Sequence, residues 1–408
     1  MKHTVALLSL HGCPVARLGE KDTGGMNVYV LQIARELGRM GHRVDVFTRV
    51  HDPADAQSEM LAENVRLVHI KAGAYDESKE ALYDLIPEFT GNLQEFQRND
   101  GTEYDVVHSH YWLSGRAGMV LAKQWGVPHV ATFHTLARVK LRARAGEREP
   151  QVRVATEERI ANAVDAMVVS TETERQDLAR LYNVPPARVA VIPPGVDLEM
   201  FRPQDKAAAR RALGIAESRV LLYVGRLQPL KGVDILVRAM AQMENAGDTR
   251  LLIVGGNRTG DPMVSTLKAE ARELGVLGNI TFTGPLPQAG LPAYYCAADA
   301  FVLPSHYESF GLAALEAMAC GTPVVVSRVG GLTTFISQGK EGYLIPWRCP
   351  EPFAQRIEML LSNPLLQRTM GEAALAKARS MGWNVAADRM LRFYESLMSR
   401  PALEAAGA

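Results

Sequence analysis

Cysteine is scarce: four residues in 408, Cys13, Cys296, Cys320 and Cys349, lie far apart and form no CxxC pair. That argues against a disulfide framework and against a structural zinc site, and it makes reduced thiols in a cytoplasmic protein the expectation. Long apolar runs are also missing. The N-terminal MKHTVALLSLHGCP holds only a short one that reads as a strand, and nothing reaches the roughly 18 residues that cross a bilayer, so no membrane insertion is expected. Charge of one sign is missing as well. Lys plus Arg (45) equals Asp plus Glu (45), which gives no reason to expect nucleic acid or an anionic membrane as partner.

What is present is length and a repeating pattern. A chain of 408 residues exceeds one hydrophobic core, and two domains are the natural reading. Short β-branched runs alternate with longer amphipathic ones, the mark of βαβ units and parallel sheets in an α/β protein. One series of strands is expected at 4–10, 42–49, 104–110, 129–134, 166–170 and 188–195, a second at 219–226, 250–256, 279–284, 300–305, 322–331 and 342–346. The Pro-rich join PPGVDLEMFRP (193–203) separates them. This predicts a first Rossmann-like, doubly wound domain over 1–196, a second over 197–382, and a C-terminal helix over 383–408 that packs back on the first. Two such domains facing each other would line one cleft with the carboxyl ends of their strands, where sheets of this kind bind ligands.

The stretch HYESFGLAALEAMACGTPVV places Glu308 and Glu316 in a segment that otherwise reads as buried. A buried carboxylate without partners costs several kcal/mol, so donors must come from elsewhere, and a hydroxyl-rich ligand is one source. The bland alternative is a helix-dipole acid at Glu308 and an exposed helix face at Glu316. No basic residue stands three or four positions from Glu316, which disfavours it. In GRLQPLKG, Arg226 and Lys231 sit at a strand-to-helix turn, where a guanidinium fork and an ammonium could clamp a diphosphate rather than simply face solvent. Gly24 and Gly25 precede another helix and allow close approach of backbone N–H groups to an anion, or merely a turn. His108, His110, Tyr111, His134, Thr135 and Lys140 crowd the strand ends of the first series. Without HExxH or nearby thiols, hydrogen bonding to a polyol is a better reading than a metal, and His108 is read as structural.

Together, GRLQPLKG and ESFGLAALEAMACGTPVV resemble the retaining, nucleotide-sugar-dependent glycosyltransferases of the GT-B fold, family four, whose signature includes two acids eight apart. The resemblance covers nearly the whole chain. Within the family, DTGGMNVYV, HSHYWLSG and HTLARVK are similar to the mycothiol-pathway transferases, which move N-acetylglucosamine from UDP-GlcNAc to inositol phosphate, and to the sucrose-phosphate synthases.

The resemblance implies roles. Arg226 and Lys231 would hold the donor diphosphate, Glu308 the transferred sugar, and Glu316 the ribose, with Gly24, Gly25, Leu286, Ser309, Phe310, Gly311 and Leu312 completing the donor site. Arg226, Lys231, Glu308 and His134 would be the catalytic set. An acceptor phosphate would meet Lys79, Tyr111, Thr135 and Arg153, while His11 and the loop of Asp22, Thr23, Gly24, Gly25, Met26 and Asn27 touch its ring. Arg17 and Leu18 stand where the mycothiol enzymes have glutamines, and Leu286 where they have an arginine, which leaves the donor sugar and the acceptor open. The UDP-sugar is a co-substrate; no cofactor or resident metal is implied, magnesium being an optional companion, and a homodimer is compatible. Two other functions remain in view: an epimerase acting on UDP-GlcNAc with the same fold, and a non-catalytic two-lobed sugar-binding protein. The set around Lys79 speaks against the first, and the lack of a signal peptide against the second.

Overall fold

A computed structural model describes residues 1–15, 24–79, 81–256 and 261–399. These form two compact units, one of residues 1–15, 25–193 and 383–399, the other of Gly24 with the described residues between 194 and 382. The division falls at Pro193–Pro194, at the start of the Pro-rich join.

The first unit is built on an eight-stranded sheet. Its strands are β1 (Thr4–Leu8), β2 (Arg43–Arg49), β3 (Ser58–Ala62), β4 (Val65–Ile70), β5 (Val106–His110), β6 (His129–Thr132), β7 (Ala166–Val169) and β8 (Val189–Val191). They run in the order β3-β4-β2-β1-β5-β6-β7-β8, all parallel except β3, which pairs antiparallel with β4. β1, β5, β6 and β7 are buried along almost their whole length, although β5 carries His108, Ser109 and His110. The helix Gly25–Arg39 buries Val30, Ile33, Ala34 and Leu37, the helical period of one face. Tyr29 on that helix meets Trp383 edge to face, ring centroids 5.7 Å apart. Trp383 opens the C-terminal helix Trp383–Met398, which belongs to this unit.

Two strands, β3 and β4, are absent from the sequence reading. Arg66, the second residue of β4, interrupts its apolar run, but Asp45 on neighbouring β2 takes two of its N–H groups at 2.9 and 2.7 Å, and Asp100 a third at 2.8 Å. Pairing across adjacent strands lets a charge sit where local pattern argues against a strand.

The second unit carries six parallel strands, β9 (Arg219–Val224), β10 (Thr249–Val254), β11 (Ile280–Gly284), β12 (Ala300–Leu303), β13 (Val324–Ser327) and β14 (Gly342–Ile345). Their order is β11-β10-β9-β12-β13-β14. Each overlaps one of the six runs read from the sequence. Among the parallel strands of both sheets the order reverses once, at β1 between β2 and β5 and at β9 between β10 and β12. The loops leaving β1 and β5, and those leaving β9 and β12, therefore flank the crevices where doubly wound sheets hold ligands.

Candidate functional site

In the second unit, the turns after β9 and β12 meet at the switch point. Lys231 Nζ donates to Glu308 Oε1 at 2.6 Å, and Ser305 Oγ donates to the same oxygen at 2.7 Å. Gly232, at φ +64°, lets the turn come this close, because a Cβ there would collide with the carbonyl oxygen of Pro304. His306 N donates to Leu230 O at 2.8 Å and closes the join. Arg226 stands on the exposed side of the same turn, its carbonyl held by Tyr223 OH at 2.9 Å, and it carries no ion pair among the described residues. Gly24 lies beside it; a Cβ on Gly24 would be 3.8 Å from Arg226 Nε.

Behind Glu308 sit Gly330 and Gly331. Gly331 N donates to the Glu308 carbonyl at 3.1 Å, and a Cβ on Gly330, at φ +45°, would strike that oxygen. The chain then passes Ser309, whose Oγ is 3.0 Å from Tyr307 OH, and Phe310, stacked on Phe335 at 4.9 Å. Gly311, at φ +100°, starts the helix Leu312–Ala319 without a side-chain cap, so the first N–H groups of that helix are available to an acceptor. Glu316 on this helix accepts from Tyr295 OH at 2.8 Å and from Gln288 Nε2 at 3.1 Å. Burial pushes its carboxyl up to about 7, although these two hydrogen bonds pull it back. Leu286 is half-buried against the core of this unit.

One expectation changes here. The donors that satisfy the buried acids come from the protein itself: Lys231 and Ser305 for Glu308, Tyr295 and Gln288 for Glu316. The two acids do not share a helix, since it begins at Leu312 and Glu308 precedes it in a loop.

In the first unit, Tyr111 opens the helix Tyr111–Trp125 at φ +77°, a conformation costly for a bulky side chain and held only by its surroundings. Three neighbours surround its ring. His11 lies at 4.3 Å between centroids, Lys79 Nζ 4.5 Å and Arg153 Cζ 4.9 Å from the centroid. Arg153 Nη2 donates to Thr135 Oγ1 at 3.0 Å and to its carbonyl at 2.8 Å. His11, Lys79, Tyr111, Thr135 and Arg153 thus converge from five separate segments. Arg153 is not an open fork, however. Its Nε donates to Glu157 at 2.7 Å and its Nη1 to Glu149 at 2.8 Å, and Lys140 pairs with the same Glu149. Burial alone would lower its pKa; Glu157, Tyr111 and Glu149 keep it above its ordinary value. Arg153 contributes positive field and positions Thr135, and it has little capacity left for a two-pronged grip.

Asn27 is buried and donates its amide to Cys13 O at 2.7 Å, Met26 lies against Gly12, and Gly25 begins the helix. Arg17, Leu18, Asp22 and Thr23 fall outside the described residues. His134 ends its strand run at φ +59°, with Nε2 3.0 Å from His110 Nδ1. Burial holds it down at about 3, a neutral imidazole, and lowers His11, His108 and His110 well below their ordinary value. His108 is structural: Tyr394 OH lies 2.5 Å from Nδ1 and Thr132 Oγ1 2.9 Å from Nε2. Sequence reading missed Ser305, Gln288, Tyr295, Glu149 and Glu157, which no local pattern marks, and the Gly330–Gly331 pair, which a GG turn signal could have flagged.

Comparison with known proteins places these features. Residues 23–200 match the family Glycosyltransferase Family 4, and residues 205–377 match Glycosyl transferases group 1. The D-inositol 3-phosphate glycosyltransferase of Kribbella flavida is 41% identical, the alignment covering 98% of this chain and 97% of that protein. That of Corynebacterium glutamicum is 38% identical, with 97% of each covered. Among solved structures, sucrose-phosphate synthase from Thermosynechococcus elongatus superposes with a TM-score of 0.90 at 33% identity, over 98% of this chain and 100% of that one. No described helix is long and apolar enough to cross a membrane. A non-catalytic sugar-binding protein is thereby set aside. With two Rossmann-like units of the GT-B kind and full-length similarity to these enzymes, the chain belongs to glycosyltransferase family 4 and is a glycosyltransferase.

Proposed function

We propose that this enzyme is a retaining hexosyltransferase that moves a sugar, N-acetylglucosamine or glucose, from its UDP donor to a phosphorylated polyol such as inositol phosphate. The observation that carries the reading is the grouping of Lys79, Arg153 and Thr135 around Tyr111, a positive and hydrogen-bonding pocket wall suited to a phosphate. In the second unit, Arg226 and Lys231 neutralise the diphosphate, Glu308 orients the transferred sugar, and Glu316 accepts from the ribose hydroxyls. Two cations serve where a divalent ion serves elsewhere, and magnesium is an optional addition. Four free thiols agree with a cytoplasmic location.

In the step itself, an acceptor hydroxyl oxygen bonds to the anomeric carbon on the face from which UDP leaves. The carbon–oxygen bond to the β-phosphate breaks, and the hydroxyl proton passes to the departing phosphate oxygen. The protein supplies position and charge stabilisation rather than a nucleophile.

A second reading is favoured by the 0.90 superposition on sucrose-phosphate synthase: transfer of glucose to fructose 6-phosphate. One experiment separates the two. UDP release is followed with UDP-GlcNAc and UDP-glucose, each against inositol 3-phosphate, fructose 6-phosphate and no acceptor, and the product anomer is read by NMR. Inositol-phosphate-dependent release with an α-linked product supports the first reading. Release that needs no acceptor, or an inverted product, sinks it.

A further inference from the structure

Two residues along from His11, two loops and a strand of the first unit bring together side chains that no sequence motif joins. Cys13 follows β1, His51 and Asp55 follow β2, and His69 lies on β4. One ligand-capable atom each from Cys13, His51 and His69 falls within 4.8 Å of the others, and Cys13 Sγ is 3.9 Å from His69 Nε2.

The hydrogen bonds fix how these groups present themselves. His69 Nδ1 is 2.7 Å from the carbonyl oxygen of Ala56. A carbonyl only accepts, so Nδ1 carries the proton and, in the neutral ring, the lone pair of Nε2 points toward Cys13 Sγ. His51 Nδ1 is 2.9 Å from Asp55 Oδ2, a carboxylate itself held by the backbone N–H groups of His51 and Asp52. His51 is therefore oriented through Nδ1, and the same Asp55 oxygen lies 4.0 Å from His69 Nε2 at the edge of the cluster. Hydrogen bonds from a backbone carbonyl and a carboxylate are what align histidines on a metal.

We propose that Cys13, His51 and His69 form a site for one divalent cation of the zinc class, with Asp55 and the Ala56 carbonyl orienting the two imidazoles. Sulfur and nitrogen donors favour zinc, cobalt or copper over magnesium and calcium, which take oxygen. In tetrahedral zinc sites the ligand atoms stand roughly 3.3–3.8 Å apart, given bonds of about 2.0–2.3 Å. The separations here need only a small inward shift, and exposed His51 is free to make it. The fourth position falls to solvent on the His51 side. The alternative is a weak thiol–imidazole hydrogen bond beside a surface His–Asp pair. The ion would clasp three segments far apart in the chain, among them the short loop from Leu10 to Cys13 whose carbonyl accepts from Asn27. Binding displaces the Cys13 thiol proton to solvent.

The test uses the full-length protein, stripped with a chelator under reducing conditions and titrated with Co²⁺. The expected result is a thiolate-to-cobalt charge-transfer band that saturates at one equivalent and is displaced by one equivalent of Zn²⁺. Cys13→Ser should abolish the band. His51→Ala, a change at an exposed side chain that leaves the circular dichroism spectrum intact, should weaken Co²⁺ binding by at least about 10-fold. No band in the wild-type protein, a band that survives Cys13→Ser, or unaltered affinity in His51→Ala would each overturn the proposal.

Discussion

Lys231 Nζ and Glu308 Oε1 are 2.6 Å apart, an ion pair that joins the turn after β9 to the loop after β12. Sequence reasoning gave these residues to different parts of the donor, diphosphate and sugar. On the proposed roles, their pairing would hold the cation aimed at the departing phosphate in place through the acid aimed at the sugar, so that neither reorganises during transfer. Arg226 is exposed and has no such partner among the described residues.

The two cations should therefore separate in their effects. Arg226→Ala is expected to cut turnover by about 10²-fold with no change in melting temperature, the scale of losing one preorganised charge contact. Lys231→Ala should cut turnover as much and also destabilise the fold by on the order of 1–3 kcal/mol, because buried Glu308 keeps only Ser305; the figure is discounted for the partial exposure of Lys231. Steady-state kinetics and thermal melts measure both. Unchanged turnover in both variants would remove the diphosphate clamp from the proposal.

Glu316 predicts a pH dependence. Its carboxyl is raised from 4.5 to about 7 by burial, so between those values the unfolded chain has released a proton that the folded one retains. Stability contributed by this proton is full below about 4.5, declines at up to about 1.4 kcal/mol per pH unit, and is gone above about 7. In Glu316→Gln, which still accepts from Tyr295, that decline should vanish. The melting temperature of wild type relative to the variant should fall from pH 5 to pH 7 and then level. UDP binding should show the opposite trend, since on the proposed role an ionised carboxylate accepts from the ribose hydroxyls more strongly than a neutral one: wild-type affinity relative to the variant rises through pH 7. Parallel melting curves for the two proteins would contradict the assignment.

The proposed acceptor site is tested by charge. Lys79→Ala should raise KM for inositol phosphate by about 10-fold or more, the worth of one charge-assisted hydrogen bond, while leaving UDP affinity unchanged. Arg153→Ala is the less informative variant, because it strands Glu157 and Glu149 and would lower stability for reasons unrelated to the acceptor. A Lys79 variant with unaltered KM would point to a neutral acceptor.

How far the sequence could be read follows a physical line. The second sheet was legible strand by strand, since all its strands but the partly exposed β11 are buried along most of their length. The first was legible except for the exposed edge strand β3 and for β4, where Arg66 depends on Asp45, a partner on another strand. Among site residues, those at strand ends and glycine turns were visible, because local backbone demands dictate them. Tyr295, Gln288 and Glu157 were not, because their roles exist only through contacts 20 to 28 residues away. The same limit hid Cys13, His51 and His69, whose convergence is tertiary.

The buried pair His108 and Tyr394 predicts what holds the C-terminal helix. Tyr394 OH lies 2.5 Å from His108 Nδ1, and both side chains are fully buried, while the other imidazole nitrogen meets Thr132. Tyr394→Phe keeps the ring and its packing but leaves Nδ1 without a partner, so the cost is that of one orphaned buried polar group, about 1–3 kcal/mol. Because His108 lies on β5, directly before Tyr111, loosening this contact should also reach the pocket around that ring. The expected outcome is a lower melting temperature together with faster amide exchange in residues 383–398 and at the start of the Tyr111 helix. A helix that frays alone, with Tyr111 unaffected, would show that the C-terminal segment is tied on by Trp383 and Tyr29 rather than through the strand that carries the pocket.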